Sequence, residues 1–460
     1  PAVSDLAPAT PPPRADSKEI PLPPIQTNLP SMPGVNELKA NPDLPDIMTM
    51  NDGTKVTTPE QWQKRREEIR ATLAYYAVGR MPPPPGNVKG QVMKDAVVAN
   101  GAVKYRLVHL TFGPEEKLSL DIGLFTPVQG GPFPTIILQS FGVPDAPVLP
   151  RLPQGPNQGR GEDVLLVVGG GKPRSARGGA GGAVPGFGGA LTAEGLATRY
   201  AEVFKRGYAL AVFNPNDCAE DTTLREQDGS WSFRHTRFFP AYPGYDWGIL
   251  GAWAWGASRV ADYLQTDPAI DSKIMIITGA SRDGKSAMIA AAFDDRLIGA
   301  PVVTGGGGIG AYRLAGPRKS ETLDIMQKKY PNWFSPHLHQ FWGHREKLPF
   351  DEHWFLALCA PRPFVALEGN RDIISYPFAV KASIEAARSA YALLGKPDNL
   401  GIHYSSHPHA FTPEDWTAMM DFVDEHVRGM PAKQRFDHFL TDQEIDAAAA
   451  AHPASGPPGG

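Results

Sequence analysis

The stretch Ile276-Ile277-Thr278-Gly279-Ala280-Ser281-Arg282-Asp283-Gly284-Lys285-Ser286 holds the residues best placed to do chemistry. An apolar strand ends at Gly279, a small-residue helix begins after Gly284, and Ser281 falls on the turn between them. Such a turn is a nucleophile elbow: it lifts a hydroxyl at the carboxyl end of a sheet, above a helix N-terminus. Small neighbours let the backbone bend without clashes. The helix N-terminus and the next backbone N–H favour a developing oxyanion. The usual spacing is G-x-S-x-G; here the second glycine comes one place later. The string from Gly279 to Ser286 also matches G-x-x-x-x-G-K-S, so a phosphate loop is a rival reading. That reading needs a second strand ending in Asp, and no convincing one is present.

A serine nucleophile needs an imidazole base downstream. The segment from Gly401 to Trp416 offers His403, His407 and His409. His403 lies within a strand and reads as packed. His409 stands just before Thr412-Pro413-Glu414, a helix start, and a loop between the last strand and last helix suits a base, so His409 is favoured over His407. The third member should be a carboxylate at a strand end. Phe364-Val365-Ala366-Leu367-Glu368-Gly369-Asn370-Arg371-Asp372 supplies Asp372 after the turn, with Glu368 as the alternative inside the strand. The order Ser281, Asp372, His409 is that of α/β-hydrolases. His337, His339, His344 and His353 cluster in sequence but lack a metal-binding spacing, and no metal or cofactor is expected. Cys218 and Cys359 sit in no paired motif and read as free thiols.

The elements around these residues read as one continuous domain from 45 to 432. Thr58-Pro59-Glu60 opens a helix through Trp62, Ile69 and Leu73 to Gly79. Residues 92–127 alternate as antiparallel strands do. Apolar runs at Thr135–Leu138, Ala209–Phe213, Ile274–Thr278 and Phe364–Leu367 then alternate with helical patterns near 193–206, 247–265, 285–293, 378–394 and 413–427. That alternation predicts a mostly parallel sheet covered on both faces, an α/β-hydrolase sandwich with added N-terminal antiparallel strands. Residues 1–44 read as a Pro-rich arm, 151–190 as a Gly- and Arg-rich insertion loop, and 433–460 as a C-terminal extension, partly disordered.

Across 460 residues, 42% are hydrophobic and 20% charged, enough to form a sizeable core. The net charge of −4 argues against a nucleic-acid binder held by phosphate contacts. No apolar run reaches the ~18 residues a membrane helix needs. The chain starts at Pro1 without a signal-type apolar region, which fits a mature exported protein or a trimmed chain.

With these motifs in place, the chain from about Leu44 to Val427 resembles the glucuronoyl esterases of carbohydrate esterase family 15, above all the bacterial branch. The family elbow reads G-C-S-R-x-G-K; Gly279, Ser281, Arg282, Gly284 and Lys285 match, and Ala280 replaces the Cys. Asp246-Trp247-Gly248, Ala252-Trp253-Ala254-Trp255-Gly256 and Asp262-Tyr263-Leu264 resemble its DWG, AWAWG and DYL blocks. Leu348-Pro349-Phe350-Asp351-Glu352-His353 and Ala360-Pro361-Arg362-Pro363 match its LPxDxH and APRP segments, and His409 with Thr412, Asp415 and Trp416 matches its histidine block. The resemblance implies Ser281 as nucleophile, His409 as base, Arg282 as a cationic donor to the oxyanion, and Lys285 and Glu321 as contacts to sugar hydroxyls. It implies cleavage of 4-O-methyl-glucuronoyl esters linking xylan to lignin alcohols, through a glucuronoyl-enzyme, by a secreted or periplasmic monomer with no nucleic-acid or membrane partner. There are departures. Where many members read Ser-Gly-Glu-Gly-Gly, this chain has Thr304-Gly305-Gly306-Gly307-Gly308, without the acid; Asp372 occupies the alternative acid position, and Ile374 replaces a sugar-packing Trp. An acetyl xylan or general carboxylesterase, or a non-catalytic carbohydrate-binding relative, are the other readings.

Overall fold

Thr58 caps the first helix as its residue types dictate: its hydroxyl accepts from the Gln61 backbone N–H, and the Gln61 side chain returns the bond. Helix α1 (Pro59–Thr72) continues into a π-helical turn over Leu73–Val78 and stops at Gly79. The computed structural model describes residues 32–153, 191–315, 321–372, 374–441, 443–444 and 446–447. The arm before 32, the insertion from 154 to 190 and the tail from 448 lie outside the described residues.

Three strands, β1 (Lys89–Val98), β2 (Val103–Phe112) and β3 (Leu118–Pro127), form an antiparallel meander. Six more follow: β4 (Phe133–Gln139), β5 (Ala209–Phe213), β6 (Ile270–Ala280), β7 (Leu297–Val302), β8 (Phe364–Gly369) and β9 (Leu400–Ser405). They build one nine-stranded sheet in the order β1-β2-β3-β5-β4-β6-β7-β8-β9. β3 meets β5 antiparallel; every pairing from β5 to β9 is parallel.

Parallel strands covered on both faces need side chains of both parities to be apolar. In β6, Ile276 packs into the core on one face and its neighbour Ile277 into the core on the other. The first face carries α2 (Ala193–Arg199), α3 (Ala201–Lys205) and α9 (Pro413–His426). The second carries α1, α4 (Ile249–Leu264), α5 (Arg282–Phe293), α7 (His353–Cys359) and α8 (Pro377–Leu393), with the short α6 (Leu323–Lys329) adding Leu323 and Met326. The expected helix over 193–206 is two helices broken at Tyr200. The helix expected from 285 starts at Arg282, directly after the elbow.

The packed chain begins before residue 45. Met32, Val35 and Leu38 pack on the core, Tyr76 donates its hydroxyl to the Pro33 carbonyl at 2.6 Å, and Arg313 Nε donates to the Asn41 carbonyl at 3.0 Å. It also runs past 432: the Ile402 N–H of β9 donates to the Phe436 carbonyl at 2.8 Å, and Phe436 is buried. Both cysteines are buried and free.

Candidate active site

The elbow is built as its residue types require. Ser281 joins β6 directly to α5 with φ 56° and ψ −120°, a conformation that costs a non-glycine residue energy. Its N–H donates to the Val302 carbonyl at the end of β7, at 2.9 Å. The shifted second glycine has a steric reason. A Cβ on Gly284 would lie 2.8 Å from the Gly279 carbonyl oxygen and 2.9 Å from Thr304 Cγ2, so the helix could not sit this close to the sheet.

His409 lies on the loop between β9 and α9, and Asp372 on the turn after β8. Asp372 Oδ2 and His409 Nδ1 are 2.7 Å apart, with both side chains buried. Asp372 Oδ1 accepts the backbone N–H groups of Ile374 and Ser375 at 2.9 and 3.1 Å. Burial pulls the imidazole pKa down, but the Asp372 charge and hydrogen bond outweigh it, leaving His409 above its ordinary value. Burial raises the Asp372 pKa, and the imidazolium more than cancels it, so the carboxyl lies below its ordinary range. Glu368 is fully buried within β8; burial first and then the Asp372 charge push its carboxyl well above the ordinary carboxylate range.

The other histidines are committed elsewhere. Both ring nitrogens of His407 are taken, Nδ1 by the Pro408 carbonyl at 2.6 Å and Nε2 by Asp415 at 3.1 Å. Asp415 is also the third helical residue in the capping box of α9. His403 sits in β9. Of the four clustered in sequence, His337 stacks on Tyr75 and faces Asp246 at 3.3 Å, and His339 meets the Pro331 carbonyl. His344 lies near Glu346, and His353, lowered to about 4 by burial, meets the Pro45 carbonyl.

Lys285, one turn after Ser281, is fully buried, and its ammonium donates to the Thr304 carbonyl and, at 2.7 Å, to Glu321 Oε2. A phosphate-loop lysine needs its charge free for phosphate; this one is spent inside the protein. Glu321 is more exposed than Lys285 and contributes to the field at His409. The glycine run fits around it. A Cβ on Gly306 would lie 1.8 Å from the Glu321 carbonyl oxygen, so no side chain can stand there with the 321 segment in place.

The surroundings of Arg282 are marked by no sequence motif. Its Nη1 donates to Asp221 Oδ2 at 2.5 Å, and Trp333 Nε1 donates to Asp221 Oδ1 at 2.8 Å. The guanidinium carbon lies 5.1 Å from the Trp333 ring centroid and 5.7 Å from that of Tyr330. Burial opposes the charge of Arg282, but the Asp221 carboxylate outweighs burial and holds the guanidinium pKa above its ordinary value. Asp221 and Trp333 come from loops distant in sequence, and no local pattern marks either.

The elbow and the Asp372–His409 pair stand at the carboxyl ends of β6, β8 and β9. A family model described as "Glucuronyl esterase, fungi" matches residues 189–395. "Carbohydrate esterase MZ0003", from an unknown prokaryotic organism, is 27% identical over 84% of this chain and 90% of its own. "4-O-methyl-glucuronoyl methylesterase 1" of Wolfiporia cocos is 27% identical over 90% of this chain and 84% of its own. The solved carbohydrate esterase family 15 glucuronoyl esterase from Caldicellulosiruptor kristjansonii superposes with a TM-score of 0.63 at 26% identity, covering 88% of this chain and 96% of that one. Over most of its length the chain is similar to the glucuronoyl esterases of carbohydrate esterase family 15. It is an esterase of that type on an α/β-hydrolase fold. Among its described residues no helix is long and apolar enough to cross a membrane. The segment around Glu321 closes the space beside Gly306, and the Asp372–His409 contact lies on the loops after β8 and β9.

Proposed function

We propose that the protein hydrolyses 4-O-methyl-glucuronoyl esters, the class that joins xylan glucuronate to lignin alcohols, by a serine mechanism. The 2.7 Å contact between Asp372 and His409, on the loops after β8 and β9, carries the reading. Ser281 Oγ attacks the ester carbonyl carbon, and His409 Nε2 takes its proton while Nδ1–H stays on Asp372. The tetrahedral oxyanion is met by Arg282 and by backbone N–H groups at the start of α5. As the intermediate collapses, the leaving alcohol takes the proton from His409. Water, deprotonated by the same imidazole, then releases glucuronate from Ser281. Glu321 presents its carboxylate to sugar hydroxyls, and Lys285 beneath it fixes that carboxylate in place.

All three triad members come from one chain, which supports a monomeric active unit, and a polysaccharide substrate supports action outside the cytoplasm. The Asp372–His409 contact and the strained elbow at Ser281 weigh against a non-catalytic carbohydrate-binding reading. The test is turnover of benzyl glucuronate by the wild type and by Ser281→Ala. Loss of kcat by several orders of magnitude is expected; unchanged turnover rejects the assignment. Acetyl esters cleaved far faster than glucuronate esters would transfer the substrate class to a general carboxylesterase.

A further inference from the structure

An arginine beside a nucleophile carries a long stem with several rotatable bonds, and only one of its rotamers can serve an oxyanion. Arg282 is denied that freedom. Asp221 Oδ2 holds Nη1 at 2.5 Å. Asp221 Oδ1 is itself held by Trp333 Nε1 at 2.8 Å. The Trp333 ring then returns to the guanidinium at 5.1 Å, closing a triangle of three side chains. Tyr330 stacks on Trp333 at 3.8 Å, with the planes 11° apart, and backs the same face.

Both loops of the triangle are anchored behind it. The Asp221 N–H donates to Asn216 Oδ1 at 3.0 Å, and Asn332 donates its side-chain amide to the Thr222 carbonyl. The Asn332 and Trp333 carbonyls accept the first N–H groups of α4, from Ile249 and Leu250, at 3.0 and 3.1 Å. The neighbouring Asp283 is fully enclosed and pushed up to about 8 by burial, so Asp221 is the carboxylate that balances Arg282 at neutral pH.

We propose that Asp221 is the positioning residue for Arg282: with Trp333 it holds the guanidinium in the single orientation that meets the oxyanion formed on the ester. The inference rests on the oxyanion role given to Arg282 above. Preorganised donors are effective because they need not reorganise as charge develops, and a small misplacement of a catalytic group is costly.

Charge and placement predict opposite results for Asp221→Asn. The neutral variant leaves more positive charge beside Ser281, so a purely electrostatic view predicts faster chemistry. Positioning predicts slower chemistry, because Asn cannot accept from both Arg282 and Trp333 through two carboxylate oxygens.

The test measures benzyl glucuronate hydrolysis by full-length Asp221→Asn, Trp333→Phe, Arg282→Ala and the Asp221→Asn/Arg282→Ala double variant, each with a melting curve. Asp221→Asn should lower kcat by about tenfold to a hundredfold, less than the ~10²–10³ that a lost oxyanion donor costs, with KM within about twofold. Trp333→Phe keeps the ring but loses the Nε1 donor and should lower kcat more mildly. The double variant should match Arg282→Ala, because Asp221 has nothing left to position. If Asp221→Asn does not fold, Trp333→Phe carries the same cycle. An unchanged or raised kcat in Asp221→Asn overturns the inference, as does an equal loss with and without Arg282. If Arg282→Ala keeps full kcat while Ser281→Ala abolishes it, the oxyanion role of Arg282 itself falls, and this inference with it.

Discussion

Replacing Asp372 with Asn changes one atom, and the structure says where that change acts. Oδ1 of Asp372 accepts two backbone N–H groups, from Ile374 and Ser375. An Asn must keep its carbonyl oxygen there, so its NH₂ faces His409 Nδ1. The imidazole is then forced into the tautomer with hydrogen on Nε2, the nitrogen that should receive the Ser281 proton. The imidazolium formed during attack also loses its carboxylate. At an effective dielectric near 20, a charge pair about 4 Å apart is worth about 4 kcal/mol, a factor of roughly a thousand in rate. With the tautomer loss the total should approach the ~10⁴ known for this change in a serine triad. The assay is kcat for benzyl glucuronate across pH. In the wild type, activity is lost as pH falls through the raised His409 pKa, because the base must be neutral. Asp372→Asn removes the charge and hydrogen bond that raise the imidazole pKa most and leaves the burial that lowers it, so the residual activity should persist to lower pH. The same pair stabilises the fold. The His409 contribution is complete below the ordinary histidine pKa of ~6.5 and fades as pH rises through the folded value. The Asp372 contribution is complete above the ordinary ~3.9 and fades as pH falls through its lowered value. Glu368→Gln, which leaves the Asp372–His409 contact in place, should cost much less. A kcat within about tenfold of wild type in Asp372→Asn, or a larger loss in Glu368→Gln, would refute the choice of acid.

Three further outcomes follow from the same geometry. Gly306→Ala should displace the 321 segment, since its Cβ would lie 1.8 Å from the Glu321 carbonyl oxygen; a lower melting temperature and a raised KM are expected, and wild-type values for both would contradict the packing. Lys285→Met keeps the buried stem but removes the cation under Glu321, and KM should rise by about tenfold or more, the worth of a charged hydrogen bond, with kcat much less affected. His407→Ala should cost about 1–3 kcal/mol of stability through the lost bonds to Pro408 and Asp415 while kcat of the folded enzyme holds; a dead but stable variant would make His407 the base.

The proposed triad was legible because each of its candidates sits at a strand end within a local pattern. Ser281 lies between an apolar run and a small-residue helix, and Asp372 and His409 follow the last two strands of the sheet. Other parts were hidden for physical reasons. β7 reads Leu-Ile-Gly-Ala-Pro-Val, and its Gly and Pro mask a strand that the pairing with β6 makes regular. β1 is exposed along nearly its whole length, so no burial alternation marks where it begins. α6 and α7 are each 7 residues, too short for a helical period to stand out. The full burial of Lys285 was invisible because motif spacing fixes where a residue stands on a helix, not which way its charge is answered. The Asp221–Trp333 clamp joins loops more than a hundred residues apart, a pairing set by tertiary packing alone.

The chain order of the site has a consequence for biosynthesis. The proposed nucleophile at residue 281 is made long before the proposed base at 409, and the strand before that base, β9, takes its outer backbone partner from Phe436. Parallel pairings between distant segments form slowly. A ribosome-bound chain would therefore carry its reactive serine with no imidazole to activate it until the last stretch emerges. On the proposed roles, hydrolytic competence arrives only with completion of the C-terminal edge of the sheet.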